Sequence, residues 1–537
     1  MTNSVLGNVA AENKKRKNYF PFQYLLNSQK FQGQGARVAQ NLKLQDGFLQ
    51  KTKGQKLFKE IAGLKKIINL FSFQNSDGSE QIIYCYKSGN KYKIKAIKED
   101  GSEITPTNDV EFTSEIFDFV QIGKKGFISN FSATTPLFQW DGITLAATSN
   151  APTEIKFLSR DGLRLVAGSG NLTKFSGGEI ETNNNFTTGA GVKKNGDYAS
   201  TLQTPTAAVS ANTGVVIFGE FGAEAHWVQP NAASDDLSDK TKIQNFSFNG
   251  RGVSNKKQVC VANNYIYFFN DDGIFEMNPY SGQVINLADT GEIKKIWENT
   301  DFSFGSIAYD NKNDFIVIIG KYKAMQNNVM FCVNLNDNKR SISMADNSFF
   351  NCLVSGKDEL FGGSSFDGKI IKIFSGYSTV NGNDTYFRFI SERDGFNNSL
   401  IAKKIKRIYF FISSYPQVNF TIKLYFDGYN KAAISQTFST PPQQISTTQQ
   451  VFGKYVFNFG KKTIENQTES INLSRYRNKF STFSFEIIES STHDFIVHDF
   501  LIEYETTGRL LKKIGNRNNT FESLNFPYLD GGQAESF

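Results

Sequence analysis

Residues 259–287, VCVANNYIYFFNDDGIFEMNPYSGQVINL, hold three short apolar runs separated by turn residues. Val259 to Ala262 run into Asn263-Asn264, Tyr265 to Phe269 run into Asp271-Asp272-Gly273, and Ile274 to Met277 follow. Asn-Asn and Asp-Gly pairs tolerate the left-handed backbone that two-residue hairpin turns require. The stretch therefore predicts three antiparallel strands of a meander. Related alternations recur at 67–97, 119–142, 157–178, 215–228, 304–320 and 360–376. Seven meanders at irregular spacing, with no W-D or kelch signature, predict an all-β chain whose body is a β-propeller of six or seven blades with insertions. A stack of unrelated sandwiches is the competing arrangement. Helices are expected only as short pieces such as 289–299.

After Gly376 the strands lengthen and alternate more cleanly. Phe420, Ile422, Leu424 and Phe426 share one face, as do Phe483, Phe485 and Ile487, and also Tyr455, Phe457 and Phe459. A two-residue period of this kind is that of a half-buried strand. The polar stretch 432–450 reads as a link between two of them. The expected organisation is an N-terminal arm over 1–36, the propeller-like body over 37–385, a sandwich-like β module over 386–510 and a tail over 511–537. In the last segment, the strand FLIEYETTGR (500–509) gives way to Lys512, Lys513, Asn516 and Arg517.

With 537 residues, 51 of them Phe, the chain has material for a large core or more than one. A net charge of +7 from 59 basic and 52 acidic residues is too mild for a dedicated nucleic-acid binder. The basic runs 14-KKRK-17 and 403-KKIKR-407 are local exceptions. They read as a solvated arm or strand edge, or as a contact with phosphate or an acidic partner. Four cysteines lie far apart with no C-x-x-C pair, which argues against a disulfide framework and against a zinc site. The start lacks the apolar run of a secretory leader, and no stretch of about 18 apolar residues occurs. A soluble protein made in a reducing cytoplasm is expected.

Chemistry finds little purchase. His493 and His498 are an odd number of positions apart, so one strand would point them to opposite faces. His498 falls in the row Ile496, Phe500, Ile502 and reads as a packed histidine, and His226 beside Trp227 reads as structural. G-x-S-x-G and G-x-x-x-x-G-K-[ST] are absent. Asp310, Asn311, Asn313 and Asp314 break the order of a calcium loop and read as a turn. No catalytic, cofactor-binding or metal-binding residue is expected, and no enzyme.

Several phrases, taken in order, resemble the tail nozzle, or packaged-DNA stabilisation, proteins of short-tailed bacteriophages. They are 37-RVAQNLKLQDGFLQKTKG-54, 155-IKFLSRDGLRLVAGSGNLTKFSG-177, 215-VVIFGEFGAEAHW-227, the run 284–318, 358-DELFGGSSFDGKIIKI-373 and 495-FIVHDFLIEYETTGR-509. Residues 386–490 match that family in style only. The resemblance implies a virion structural protein assembled in the host cytoplasm. Six copies would form a ring against the tail adaptor ring and other tail proteins, enclosing the channel through which the phage DNA passes, with a host-surface contact as a further partner. Lys512, Lys513 and Arg517 become the expected intersubunit or adaptor contacts. Two other readings stand beside it: a carbohydrate-binding or carbohydrate-active propeller using exposed Trp140 and Trp227, and a receptor-binding tail protein.

Overall fold

Asn263 and Asn264 adopt φ of 48° and 67°, the left-handed pair that a tight hairpin needs, in the computed structural model of the chain. Around this turn the strands Val259–Ala262, Tyr265–Asn270, Gly273–Met277 and Val284–Asn286 pair in order, so the predicted meander gains a fourth, outer strand. The structure describes residues 16–19, 36–45, 48–108, 110–148, 151–169, 174–177, 186, 193–197, 205–211, 214–220, 222–228, 241–246, 252–289, 291–322, 327–336, 340–345, 349–376, 385–394, 401–415, 417–427, 431–440, 451–452, 455–456 and 479–510. Among them the fold is almost entirely β, and the α-helix Gly291–Trp297 is the short helical piece expected near 289–299.

The same four-stranded meander begins at Ile67–Gln74, Phe117–Ile122, Ile155–Asp161 and Pro205–Ala211. Sheets 1 to 4 are those four in chain order, and the meander of 259–286 is sheet 5. In sheet 6, Asp301–Asp310, Phe315–Lys321 and Val329–Asn334 pair in order. Sheet 7 consists of Phe350–Ser355, Leu360–Ser364 and Lys369–Ile373, with Gln55–Glu60 as its outer strand. The first strand of each sheet lies beside the first strand of the next, and that of sheet 7 lies beside that of sheet 1. This closed succession makes the body propeller-like. Gln55–Glu60 comes from before sheet 1 and completes sheet 7, so the two ends of the body are tied by a strand ladder.

Packing between sheets is apolar and aromatic. Phe218 of sheet 4 meets Phe268 of sheet 5 at 5.3 Å, and Phe112 meets Phe117 and Phe138 edge-on under sheet 2. Full burial of such side chains contributes roughly 1.5–3 kcal/mol each.

The chain divides into two compact units, and the division differs from the expected boundaries. One comprises 55–335 and 347–376, the propeller-like body; the other draws on Met1–Gly54, Asn336–Asp346 and Tyr377–Asp530. Residues 37–54, expected in the body, therefore belong with the C-terminal strands.

That second unit is a two-sheet sandwich. One sheet runs Leu42–Gln45, Phe48–Lys51, Asp494–Leu510, Ile401–Tyr415, Lys479–Phe480, with Arg16–Tyr19 also paired to Asp494–Leu510. The other runs Ile342–Ala345, Ala36–Gln40, Phe387–Ser391, Phe483–Glu489, Asn419–Phe426, Ile434–Ser439. Phe485 stacks on Phe500 at 3.9 Å, and Phe387 meets Phe495 edge-on at 5.0 Å, so the two inner faces interdigitate. The row Phe420 to Phe426 is buried in alternation as its period requires, whereas Phe483 to Ile487 is buried on both faces, Ser484 and Glu486 included. Tyr455 lies on the short strand Tyr455–Val456, while Phe457 and Phe459 fall outside the described residues.

Three expectations are corrected. The stretch 432–450 is not merely a link, because Ile434–Ser439 forms the outer strand of the second sheet. The run 403–407 is not a solvated edge: it lies on Ile401–Tyr415, between two other strands, and Lys403 is buried. Loss of water pushes the Lys403 ammonium below its ordinary range, against the pull of Asp394 and Asp427. His498 is half-exposed rather than packed in an apolar row. It is the extra residue of a bulge, since Asp499 faces Phe411 while Val497 faces the next residue, Ile412. The bulge switches parity, so Phe495 and Val497 are buried before it and Phe500 and Ile502 after it. The His498 ring instead meets Phe48 edge-on at 4.8 Å.

Candidate functional site

The link from sheet 4 into sheet 5 places polar groups in the middle of the body. Gly252 N–H donates to Glu220 O at 2.5 Å and Val253 N–H to Gly219 O at 3.1 Å. A Cβ on Gly252 would lie 2.0 Å from Gly219 O, so only glycine allows this approach. Asn255 then caps a one-turn 3-10 helix, Lys256–Gln258, accepting from Lys257 N–H at 2.9 Å. Gln258 is buried, and its Oε1 accepts from Ser254 N–H and Oγ.

The turn aims two lysines across the ring. Lys256 Nζ donates to Ala208 O of sheet 4. Lys257 Nζ donates to Ile68 O of sheet 1 at 2.8 Å, and sheet 1 stands on the far side of the closed succession from sheet 5. Burial pushes both ammonium groups below their ordinary range. Asp118 of sheet 2 opposes this shift for Lys256. Burial raises the Asp118 carboxyl, offset by Lys256 and by two backbone donors, Leu158 N–H at 2.6 Å and Phe119 N–H at 2.8 Å. One turn thus ties sheets 1, 2, 4 and 5, and side chains cross the middle of the body.

Beside it opens a cleft of about 360 Å³, lined by Glu220, Gly252, Ser254, Gln258, Asn270 and Asp271. Asn270 holds the wall: its Nδ2 donates to Gly252 O at 3.0 Å, and its carbonyl accepts from Trp297 Nε1 at 2.9 Å. A second cleft, of about 400 Å³, lies between sheets 1 and 7 at the end of the body where the first and second strands of each sheet turn. Phe58, Glu80, Glu99, Glu359, Phe361 and Lys372 are among its lining. Glu80 Oε1 accepts from Ser72 Oγ at 2.6 Å and from Lys357 N–H at 2.8 Å, and a Cβ on Gly356 would touch that same oxygen. The carboxylate is thereby committed to holding the turn of sheet 7.

Burial raises the Glu80 carboxyl above its ordinary value of 4.5. An acid whose folded value exceeds its unfolded one favours the folded state below the unfolded value, and that contribution is lost as pH rises through the folded value. Glu80→Gln keeps an acceptor and removes the titration. Its unfolding midpoint relative to the natural chain is expected to rise between pH 4 and pH 7 in chemical denaturation, and a relative fall would contradict the assignment.

Neither cleft is lined by histidine or cysteine, and among the described residues no group of three metal-ligating side chains comes together. His493 is half-exposed, its N–H on Ser491 Oγ at 3.2 Å, and the His226 side chain is outside the described residues. Trp140, expected on a sugar cleft, is instead core, 1% exposed with Nε1 on Gln81 Oε1 at 3.2 Å. Asp310, Asn313 and Asp314 form the expected turn: Asn313 Nδ2 donates to Asp310 Oδ2, and Tyr309 OH to Asp314 Oδ1. Lys512, Lys513 and Arg517 lie outside the described residues. Lys256 and Lys257 were not singled out in the sequence, where a Lys-Lys pair in a Gly-Ser-Asn link reads as an exposed turn.

Among the described residues, no helix is long and apolar enough to cross a membrane. No family model matches the chain, and no curated protein matches it. Among solved structures, the extracellular domain of a putative hybrid two component system from B. thetaiotaomicron is similar at 11% identity and a TM-score of 0.36. The match covers 59% of this chain and 39% of that one, and a likeness of this degree bears on neither fold nor function.

Proposed function

We propose that this chain is a non-catalytic virion structural protein, the subunit of a six-membered tail nozzle of a short-tailed bacteriophage. The order of the phrases from 37 to 509 supports the reading. So does an all-β frame in whose clefts Glu80, Gln258 and Asn270 hold turns and links. The observation that carries it is the pairing of Arg16–Tyr19 with the strand Asp494–Leu510, Arg16 opposite Tyr504. Because the pair is antiparallel, one strand leads toward residue 15 and the other toward residue 511 in the same direction. Arg16, Lys17 and Arg509 are thereby brought to one sheet, where 403–407 already lies. A closed ring of identical chains needs two different complementary surfaces on each subunit, and paired terminal segments are a means of supplying them.

In this reading Lys512, Lys513 and Arg517 contact a neighbouring subunit or the adaptor ring. The DNA channel lies between subunits, because the lysine turn crosses the middle of each body. The protein resides in the virion tail, and its partners are the other copies, the adaptor ring, other tail proteins, the passing DNA and the host surface. Deleting 511–537 tests this, leaving Leu510, which pairs with Ile401, in place. Ring assembly or attachment to tails is expected to fall at least tenfold while circular dichroism and the melting profile are kept. Normal tails carrying the shortened chain would overturn it.

A further inference from the structure

The end of the body where the first strands begin carries an exposed basic and aromatic corner. Phe304, at the irregular start of sheet 6, is 62% exposed, and Phe366, in the turn between the second and third strands of sheet 7, is 45% exposed. Asn327 joins their supports: its Nδ2 donates at 2.9 Å both to Phe304 O and to Phe350 O. The Phe366 ring is held edge-on to Phe349 at 5.8 Å. Lys66 Nζ stands 6.0 Å from the centre of the Phe304 ring.

Sheet 1 extends the charge. Lys65 and Lys66 immediately precede Ile67, which is paired with Tyr86, and Lys91 is paired with Ser88, so Lys87 and Lys91 sit at the same sheet end. All four lysines are exposed. The acids of this end are placed otherwise: Asp301 is bound to Lys321 at 2.8 Å, Asp367 to Lys369 at 2.7 Å, and Glu111 lies 3.8 Å from Lys93. Of the acids in the neighbouring sheet 2, Asp118 is buried against Lys256, and Glu115, exposed just before its first strand, interacts with Lys257.

An exposed ring flanked by a lysine, with more lysines one strand away, suits a ligand that alternates flat rings with anionic links. We propose that this corner binds single-stranded nucleic acid, bases stacking on Phe304 and Phe366 and phosphates meeting Lys65, Lys66, Lys87 and Lys91. Base–aromatic stacking accepts any base, and lysine contacts follow the backbone, so the expected binding is tolerant of sequence and sensitive to salt. The inference goes beyond the nozzle reading and is independent of it, since it concerns a surface of the single chain.

The test is fluorescence anisotropy of a labelled oligothymidylate with the full chain across a salt series, beside a duplex of equal length. Four phosphate contacts predict a slope of log affinity against log salt of about −3. Phe304→Ala is expected to weaken binding about tenfold without changing that slope, and Phe304→Tyr to retain it. Lys66→Glu with Lys87→Glu should about halve the slope. All of these side chains are exposed, and unchanged melting of each variant confirms the fold. No saturable binding, or equal binding of duplex and single strand with Phe304→Ala unaffected, would overturn the proposal.

Discussion

Lys51→Ala is expected to cost the sandwich unit about 3–5 kcal/mol, enough to unfold it while the propeller-like body stays intact. Lys51 Nζ lies 2.7 Å from Glu489 Oε2, and both side chains are fully buried. The ammonium also donates to Ser491 O at 2.5 Å. Lys51 ends a strand of one sheet and Glu489 ends a strand of the other, so the pair fastens the two layers. Removing the lysine strands a carboxylate without water or counter-charge, which is why the loss exceeds the worth of the pair itself. Lys51→Met with Glu489→Leu should recover most of the loss, because an apolar pair of similar volume carries no desolvation penalty. The three tryptophans, Trp140, Trp227 and Trp297, all fall in the body. Tryptophan fluorescence should therefore keep its natural transition while far-ultraviolet circular dichroism gains an early one. A single unshifted transition by both probes would contradict the account.

Asp118→Ala should destabilise the body by about 2–6 kcal/mol, at roughly 1–3 for each buried donor left unmatched. The donors are Leu158 N–H and Phe119 N–H, which join sheets 2 and 3 through one carboxylate. Lys256 also loses the charge that offsets its burial, so the turn across the middle of the body loosens with it. Asp118→Asn retains one acceptor and should cost less. Guanidinium denaturation followed by tryptophan fluorescence measures both variants, and a loss under about 0.5 kcal/mol for Asp118→Ala, the range of ordinary surface changes, would show that the carboxylate does not join the sheets.

The meander at 259–287 was legible because every signal in it is local: the turn residues, the two-residue period and the strand lengths lie within one stretch. The same holds for the rows of the sandwich. The closing strand Gln55–Glu60 was not legible, since its partner Lys369–Ile373 lies more than three hundred residues away and its own alternation is weak. Residues 37–54 were assigned to the wrong unit for a related reason: their strands pair with segments from the other end of the chain. The basic run 403–407 was misread because a sequence shows no register. Arg407 stands opposite Glu503, itself opposite Lys17, and Lys404 stands opposite Glu505, so acids and bases alternate across neighbouring strands. Burial of Lys403 and the lysines of the central turn were hidden for the same cause. A lysine reads as solvent-facing until the backbone shows where its end can reach. His498 was misplaced by one residue, the bulge, because a period of two carries no marker for an inserted position.

The oligomeric state of the purified full-length chain, read by native mass spectrometry and by particle images of the same sample, tests the central claim most directly. The nozzle reading predicts a closed ring of six copies enclosing a central opening between subunits, alone or once the adaptor ring is added. A monomer or dimer in both conditions would contradict it.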